Sequence, residues 1–171
     1  YARLIRDEID RWSRVVKDEF HARFSARSRS YRYILDNHAV RPALLHGRVG
    51  WFHLPLDIEA MRAGTALLVG EQDFSAFRAA ECQAKSPVKL LHRADVLRHG
   101  DCIVFDFRAS AFLHHIVRNM VGALVYVGKG AHPPEWIGDL LASRDRSLAA
   151  PTFSPHGLYL SGVEYEARWQ L

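Results

Sequence analysis

The sequence predicts an α+β domain of the ferredoxin-like, split βαβ kind, an antiparallel sheet with helices packed on one face. Three observations carry that expectation: an alternating run near the start, two more joined by a His-Gly-Asp turn in the middle, and helix-period stretches between and after them. In the first run, Arg29-Ser-Tyr-Arg-Tyr-Ile-Leu-Asp36, residues Tyr31, Tyr33 and Leu35 alternate with polar Arg32 and Asp36, the pattern of a half-buried strand. Pro55-Leu-Asp57 then opens a helix, with Asp57 suited to the N-cap and Ile58, Met61, Thr65 and Leu68 recurring at helical spacing until Gly70.

The clearest hairpin joins Lys89 to Arg98 with Cys102 to Ala109 through His99-Gly100-Asp101, and Ile103, Phe105 and Phe107 mark one face of its second strand. The longest helix is expected over Phe112 to Val127. Gly128, Gly130, Pro133 and Pro134 separate it from a shorter helix, Glu135 to Ala142, and a strand from Gly157 to Glu166 closes the chain. The resulting order is β-α-β-β-α-(α)-β.

With 171 residues, 49% hydrophobic and 25% charged, the chain has enough apolar material for one core, and no repeat, low-complexity tract or Gly/Ser linker divides it. Its 23 Lys+Arg against 19 Asp+Glu give a net charge of +4, which leans towards polyanionic partners without requiring one. The clustering says more. Phe20 to Leu35 holds Arg23, Arg27, Arg29 and Arg32 and no acidic residue, a local positive face.

Cys82 and Cys102 show no metal-type or disulfide-framework spacing, which fits a reducing, cytoplasmic setting. The longest apolar run, Val121 to Gly128, is far short of the roughly 20 residues needed to span a bilayer. Tyr1-Ala-Arg-Leu-Ile-Arg is no signal peptide, so no membrane association is expected. A start at Tyr1 rather than Met suggests an internal piece of a longer product.

Three stretches could carry chemistry. In the expected helix Ala109-Ser-Ala-Phe-Leu-His-His-Ile-Val-Arg-Asn-Met-Val-Gly122, apolar Phe112, Leu113, Ile116, Val117, Met120, Val121 and Leu124 cover one half, while His114, His115, Arg118, Asn119 and Gly122 line the other. His114 lies one turn before Arg118, so the guanidinium could reach over a partly buried site and hold an anion; an ordinary solvated helix face fits the spacing equally well. Neighbouring histidines diverge by about 100° on a helix and lack an HxxxH or acidic companion, which argues against a metal site. Ser110 near His114 is too generic a pair for nucleophilic catalysis.

Phe20-His-Ala-Arg-Phe24, followed by Ser25 to Tyr33, interleaves aromatics with arginines, a mixture that can grip phosphates and stack on bases. The same aromatics could instead be core residues with arginines solvating the edge. Arg78 to Lys89 reads as a loop ending near Pro87, either an RNA contact or a plain polar connector.

Five motifs, taken in order, give the sequence a strong resemblance to the TruA family of tRNA pseudouridine synthases: Phe20-His-Ala-Arg-Phe-Ser25, Tyr31-Arg-Tyr33, Asp73-Phe-Ser-Ala-Phe-Arg78, Phe112-Leu-His-His-Ile-Val-Arg-Asn-Met-Val-Gly122 and Gly157-Leu-Tyr-Leu160. The match runs from about Trp12 to the C-terminus and resembles the family's C-terminal domain, 12–171, with residues 1–11 unplaced. The resemblance implies isomerisation of uridine to pseudouridine in the anticodon stem-loop of tRNA (positions 38–40), with no cofactor and no metal.

In the family an aspartate in an Arg-Thr-Asp-type segment, upstream of the matched region, is the essential nucleophile or base, and this sequence has no such segment. Arg144-Asp145 and Gln72-Asp73 stand in the wrong context to replace it.

By resemblance, Tyr31 stacks on the flipped uracil, Arg118 pairs with the missing aspartate and favours its ionised form, and Leu158 is the apolar wall beneath the base. The resemblance also puts tRNA contacts on Phe20, His21, Ala22, Arg23 and Phe24, on Phe52, and on Glu81, Cys82, Gln83, Ala84 and Lys85. Ala39 departs from relatives that carry a basic contact there. Family members are homodimers holding one tRNA across both subunits, so a homodimer is the expected assembly. The alternatives are an inert tRNA-binding or dimerisation fragment and a structural domain whose basic stripe is incidental.

Overall fold

A computed structural model describes residues 15–169. Residues 1–11, and the start of the family resemblance at Trp12, lie outside the described residues. The element order is β1 (Ala26–Asp36), β2 (Gly50–Trp51), α1 (Ile58–Ala66), β3 (Gly70–Asp73), β4 (Val88–His99), β5 (Cys102–Ala109), α2 (Ile116–Gly128), α3 (Trp136–Ser143) and β6 (Leu158–Tyr165).

The sheet runs β2-β1-β5-β4-β3, with β6 also paired to β1. β1 is antiparallel to β5 and to β6, and β5 to β4, so β1 and β4 run the same way with β5 inserted between them. This is the split βαβ arrangement expected from the sequence. One edge of β1 is shared: β6 pairs along Ala26 to Tyr33, and β2 adds a short parallel pairing at Leu35 and Asp36.

Alternation decides which face is covered. Tyr33, Leu35, Ile103, Phe105 and Phe107 are almost wholly buried beneath the helices, with Met61, Leu68, Met120 and Leu124 among the side chains that cover them. Tyr31 has the same parity and is only half-buried, because it sits where the helical cover stops. The other face is laced by cross-strand ion pairs, including Arg32 Nε and Nη2 donating to Asp106 at 2.8 and 3.0 Å and Arg108 with Glu164.

Asp57 caps α1 as expected, its Oδ1 accepting from the backbone N–H of Glu59 and Ala60 at 2.9 and 3.0 Å. The hairpin Val88–His99 and Cys102–Ala109 also forms as read. Two strands were not anticipated: β2 is only a pair of residues, and β3, Gly-Glu-Gln-Asp, is a polar edge strand without apolar alternation.

The long helix begins four residues later than Phe112. His115 adopts a left-handed conformation (φ 60°) and Ile116 starts the helix, so Phe112 to His115 form a turn. His114 is therefore not one helical turn from Arg118. Nor is the polar stripe solvated: Asn119 and Gly122 are buried beneath the chain at 151–154, and a Cβ at Gly122 would come within 2.5 Å of the Pro151 carbonyl oxygen.

Candidate active site

A cleft of about 640 Å³ opens where β1, β6 and the turn before α2 meet. Tyr31 from β1, Leu158 from the first position of β6 and Arg118 from the first turn of α2 all line it, joined by Arg23 and by Glu81, Cys82, Gln83 and Ala84. Lys85, Phe20, His21, Ala22, Phe24 and Phe52 are not among its lining residues. The cleft also takes in Phe112, Leu113, His114 and His115, to which the family resemblance gives no part. Helical spacing hides them: the left-handed break at His115 turns what reads as a helix into a cleft wall.

Each wall is held by its own local structure. The Tyr31 ring is met edge-on by Phe112, with centroids 5.0 Å apart and planes at 84°, so its position is fixed while one flank faces the cleft. Leu158 follows Gly157, whose φ is +94° and whose missing Cβ leaves room for the Ile34 carbonyl and the Gly50 amide; Gly157 O in turn accepts from Ile34 N at 2.8 Å. That close approach docks the start of β6 on β1.

Arg118 is tethered on two sides, its Nε donating to Phe153 O at 2.7 Å and its Nη1 to His115 Nδ1 at 3.2 Å. The 151–154 segment that supplies Phe153 O is itself latched down. Asn119 Oδ1 accepts from Thr152 Oγ1 (2.7 Å) and Arg146 Nη2 (3.2 Å), and Tyr33 OH donates to Ser154 O at 2.9 Å. Burial pushes the Tyr33 phenol well above its ordinary value, which keeps it a neutral donor. The His115 ring is held below the ordinary histidine range, first by burial and then by His114 and Arg118, with Glu81 opposing.

The loop after β3 is organised by its own arginine. Arg78 Nη2 donates to the carbonyls of Cys82 (2.5 Å) and Ala84 (2.9 Å), while Ala79 N and Cys82 Sγ bond the backbone of His114. Arg78 is thus spent on folding the loop against the Phe112–His115 turn, and Lys85 is left exposed. Burial raises the Cys82 thiol, but backbone bonds from Ala84 and His114 and the nearby Arg78 outweigh it and lower its pKa.

The aromatic-arginine stretch divides between the two readings it allowed. Phe20 packs edge-on against Tyr165 and Trp169, and Tyr33 is core, whereas Phe24 is 76% exposed and Arg23 faces the cleft. The stretch is also less positive than its sequence implies. Arg27 pairs with Glu166, just past the end of β6, and Arg32 with Asp106 on β5. Among the described residues no group of three or more His, Cys, Asp or Glu could hold a metal ion, and no helix is long and apolar enough to cross a membrane.

Comparison with known proteins bears directly on this arrangement. A family model described as tRNA pseudouridine synthase matches residues 65–166, more than half of the chain. The chain belongs to the tRNA pseudouridine synthase family. This synthase-family chain is 64% identical over 170 residues to tRNA pseudouridine synthase A of Aromatoleum aromaticum, covering 99% of the chain and 64% of that protein. It is 62% identical over 161 residues to the same-named protein of Dechloromonas aromatica, covering 94% of the chain and 62% of the relative. The protein of that name from Methylobacillus flagellatus is 60% identical over 160 residues, 94% of the chain and 61% of the relative. The TruA-family chain thus spans less than two thirds of the length of these relatives.

Proposed function

We propose that this chain is the RNA-facing half of an isomerase that converts uridine to pseudouridine in the anticodon stem-loop of tRNA, and that the cleft is its uridine site. The observation that carries this reading is the convergence of Tyr31, Arg118 and Leu158, from three distant parts of the sequence, on one cleft.

A flipped uracil needs a flat partner, and the braced Tyr31 ring offers one. Leu158 closes the site with an apolar surface that makes no competing hydrogen bond to the turning base. The reaction needs no net gain or loss of atoms: the C1′–N1 bond breaks, the base turns over, C1′ bonds to C5, and the proton leaves C5 and is restored at N1. Such chemistry calls for a carboxylate kept ionised in a partly desolvated place. Arg118 is suited to hold it, since the bonds to Phe153 and His115 use Nε and Nη1 and neither uses Nη2. In this reading the aspartate comes from a segment outside the sequence in hand, which the greater length of the relatives allows.

Arg23 on the cleft rim and exposed Lys85 beside it fit phosphate contacts that position the RNA without reading it. Phe24, exposed and with the Arg23 guanidinium 5.7 Å from its ring centre, fits a stacking contact. The protein would act as a homodimer in the cytoplasm, where tRNA is processed and where Cys82 and Cys102 stay unpaired.

The test is pseudouridine formation by the full-length gene product on an unmodified anticodon-arm transcript, detected by carbodiimide labelling and primer-extension stops. Stops at the arm uridines, lost when those uridines are replaced by cytidine, are expected. Tight tRNA binding with no stop at any uridine would favour an inert binding fragment instead.

A further inference from the structure

His115 stands out among residues to which the resemblance gives no part. It is one of two non-glycine residues with positive φ among those described, it occupies the N-cap position of α2 without a side-chain cap bond, and it lines the cleft. Serine, threonine, aspartate or asparagine in an extended conformation would cap the helix better. The side chain is used elsewhere. Its Nδ1 lies 3.2 Å from Arg118 Nη1, and because a guanidinium can only donate, Nδ1 must be the unprotonated nitrogen and the ring proton sits on Nε2.

We propose that His115 is a positioning residue that aims the Arg118 guanidinium into the cleft, with its left-handed backbone bringing Nδ1 onto the arginine three residues ahead. This rests on the uridine-site reading of Arg118. Phe153 O fixes one side of the guanidinium through Nε and His115 fixes the Nη1 side, so the plane cannot swing about its long side chain. Protonation of the ring at Nδ1 would set donor against donor and cation against cation, releasing Arg118. The titratable and charged groups around the ring are His114, its ring centre 3.7 Å away with the planes tilted by 30°, Arg118, Glu81 and Cys82 from the loop after β3, and Arg23, which lines the same cleft. The mechanism therefore requires a neutral His115.

Two substitutions separate this role from a structural one. Glycine adopts φ 60° freely, so H115G keeps the backbone and removes the ring with its acceptor. Asparagine tolerates the same conformation and its Oδ1 stands near the place of Nδ1, so H115N restores the acceptor without a titratable ring. In the full-length protein, single-turnover pseudouridine formation should fall roughly 10²-fold in H115G, with tRNA Kd unchanged, and H115N should recover most of that loss. The acid limb of the rate in the wild type should follow His115 protonation read from its ring-proton NMR shift, and should move to lower pH in H115N.

A wild-type rate in H115G overturns the proposal, as does an H115N as slow as H115G or one with an unmoved acid limb. R118A measured alongside keeps the two ideas apart. If R118A retains full rate the uridine-site reading fails, whereas a slow R118A with an unaffected H115G removes only the role of His115.

Discussion

At the scale of single residues, Asn119 shows how the site is held from behind. It has no exposure, donates to Phe77 O at 2.7 Å and accepts from Thr152 and Arg146, tying the loop after β3 to the 151–154 segment through one amide. Asn119→Ala leaves the buried Phe77 carbonyl without its donor and takes from Thr152 and Arg146 their shared acceptor, and should cost about 1–3 kcal/mol, read as a lower urea midpoint at constant m. Because the same segment gives Arg118 its Phe153 acceptor, pseudouridine formation should slow as well. A second residue-scale expectation concerns pH. His115 has a folded pKa below its ordinary 6.5, so the unfolded chain takes up the proton first. Its contribution to stability is complete above about 6.5 and is lost as the pH falls towards the folded value. Thermal unfolding followed across that window should show a falling Tm in the wild type and a flatter profile in H115N. Arg118 could be picked out in sequence as a cation on an apolar helix, but its true partners could not. Phe153 lies 35 residues away, and His115 reaches it only through a backbone conformation that periodicity does not register.

At the scale of elements, the parts legible in sequence are those whose side chains alternate or recur against the core. β1 and the β4–β5 hairpin announce themselves through Tyr33, Leu35, Ile103, Phe105 and Phe107, and α1 through Asp57 and Met61. The elements that the sequence pattern hides have a physical cause in each case. β3 is held by backbone pairing to β4 and by the Asp73–Arg144 ion pair rather than by an apolar face, and Phe112 and Leu113 keep helical spacing although the chain there turns against β1 and the loop at 78–87. Two substitutions test the element ends. Asp57→Ala should cost about 1 kcal/mol by removing the cap, with no effect on catalysis. Gly157→Ala forces a side chain into a left-handed position against the Ile34 carbonyl and should cost about 2–3 kcal/mol. It should also displace Leu158, so a loss of single-turnover rate that persists well below the variant's Tm is expected. A merely less stable enzyme with normal rate at low temperature would argue against Leu158 as a wall of the site.

For the whole molecule, the charge that matters is smaller and more local than a net of +4 suggests. Carboxylates on or next to neighbouring strands take up Arg27, Arg32 and Arg108, so in the proposed reading attraction for RNA falls to Arg23 on the cleft rim and to exposed Lys85. Removing both in R23A/K85A should weaken tRNA binding evenly across tRNA sequences and make the log–log salt dependence shallower by about 1 per cation removed. Filter binding between low and high salt reads this directly, and an unchanged slope would move the RNA face elsewhere. The most direct measurement on the cleft itself is the single-turnover rate of pseudouridine formation by full-length R118A, taken beside its tRNA Kd. A rate lower by about 10²–10³-fold with Kd nearly unchanged is the expected result; weakened binding with an unchanged rate would contradict Arg118 as the partner of the catalytic carboxylate.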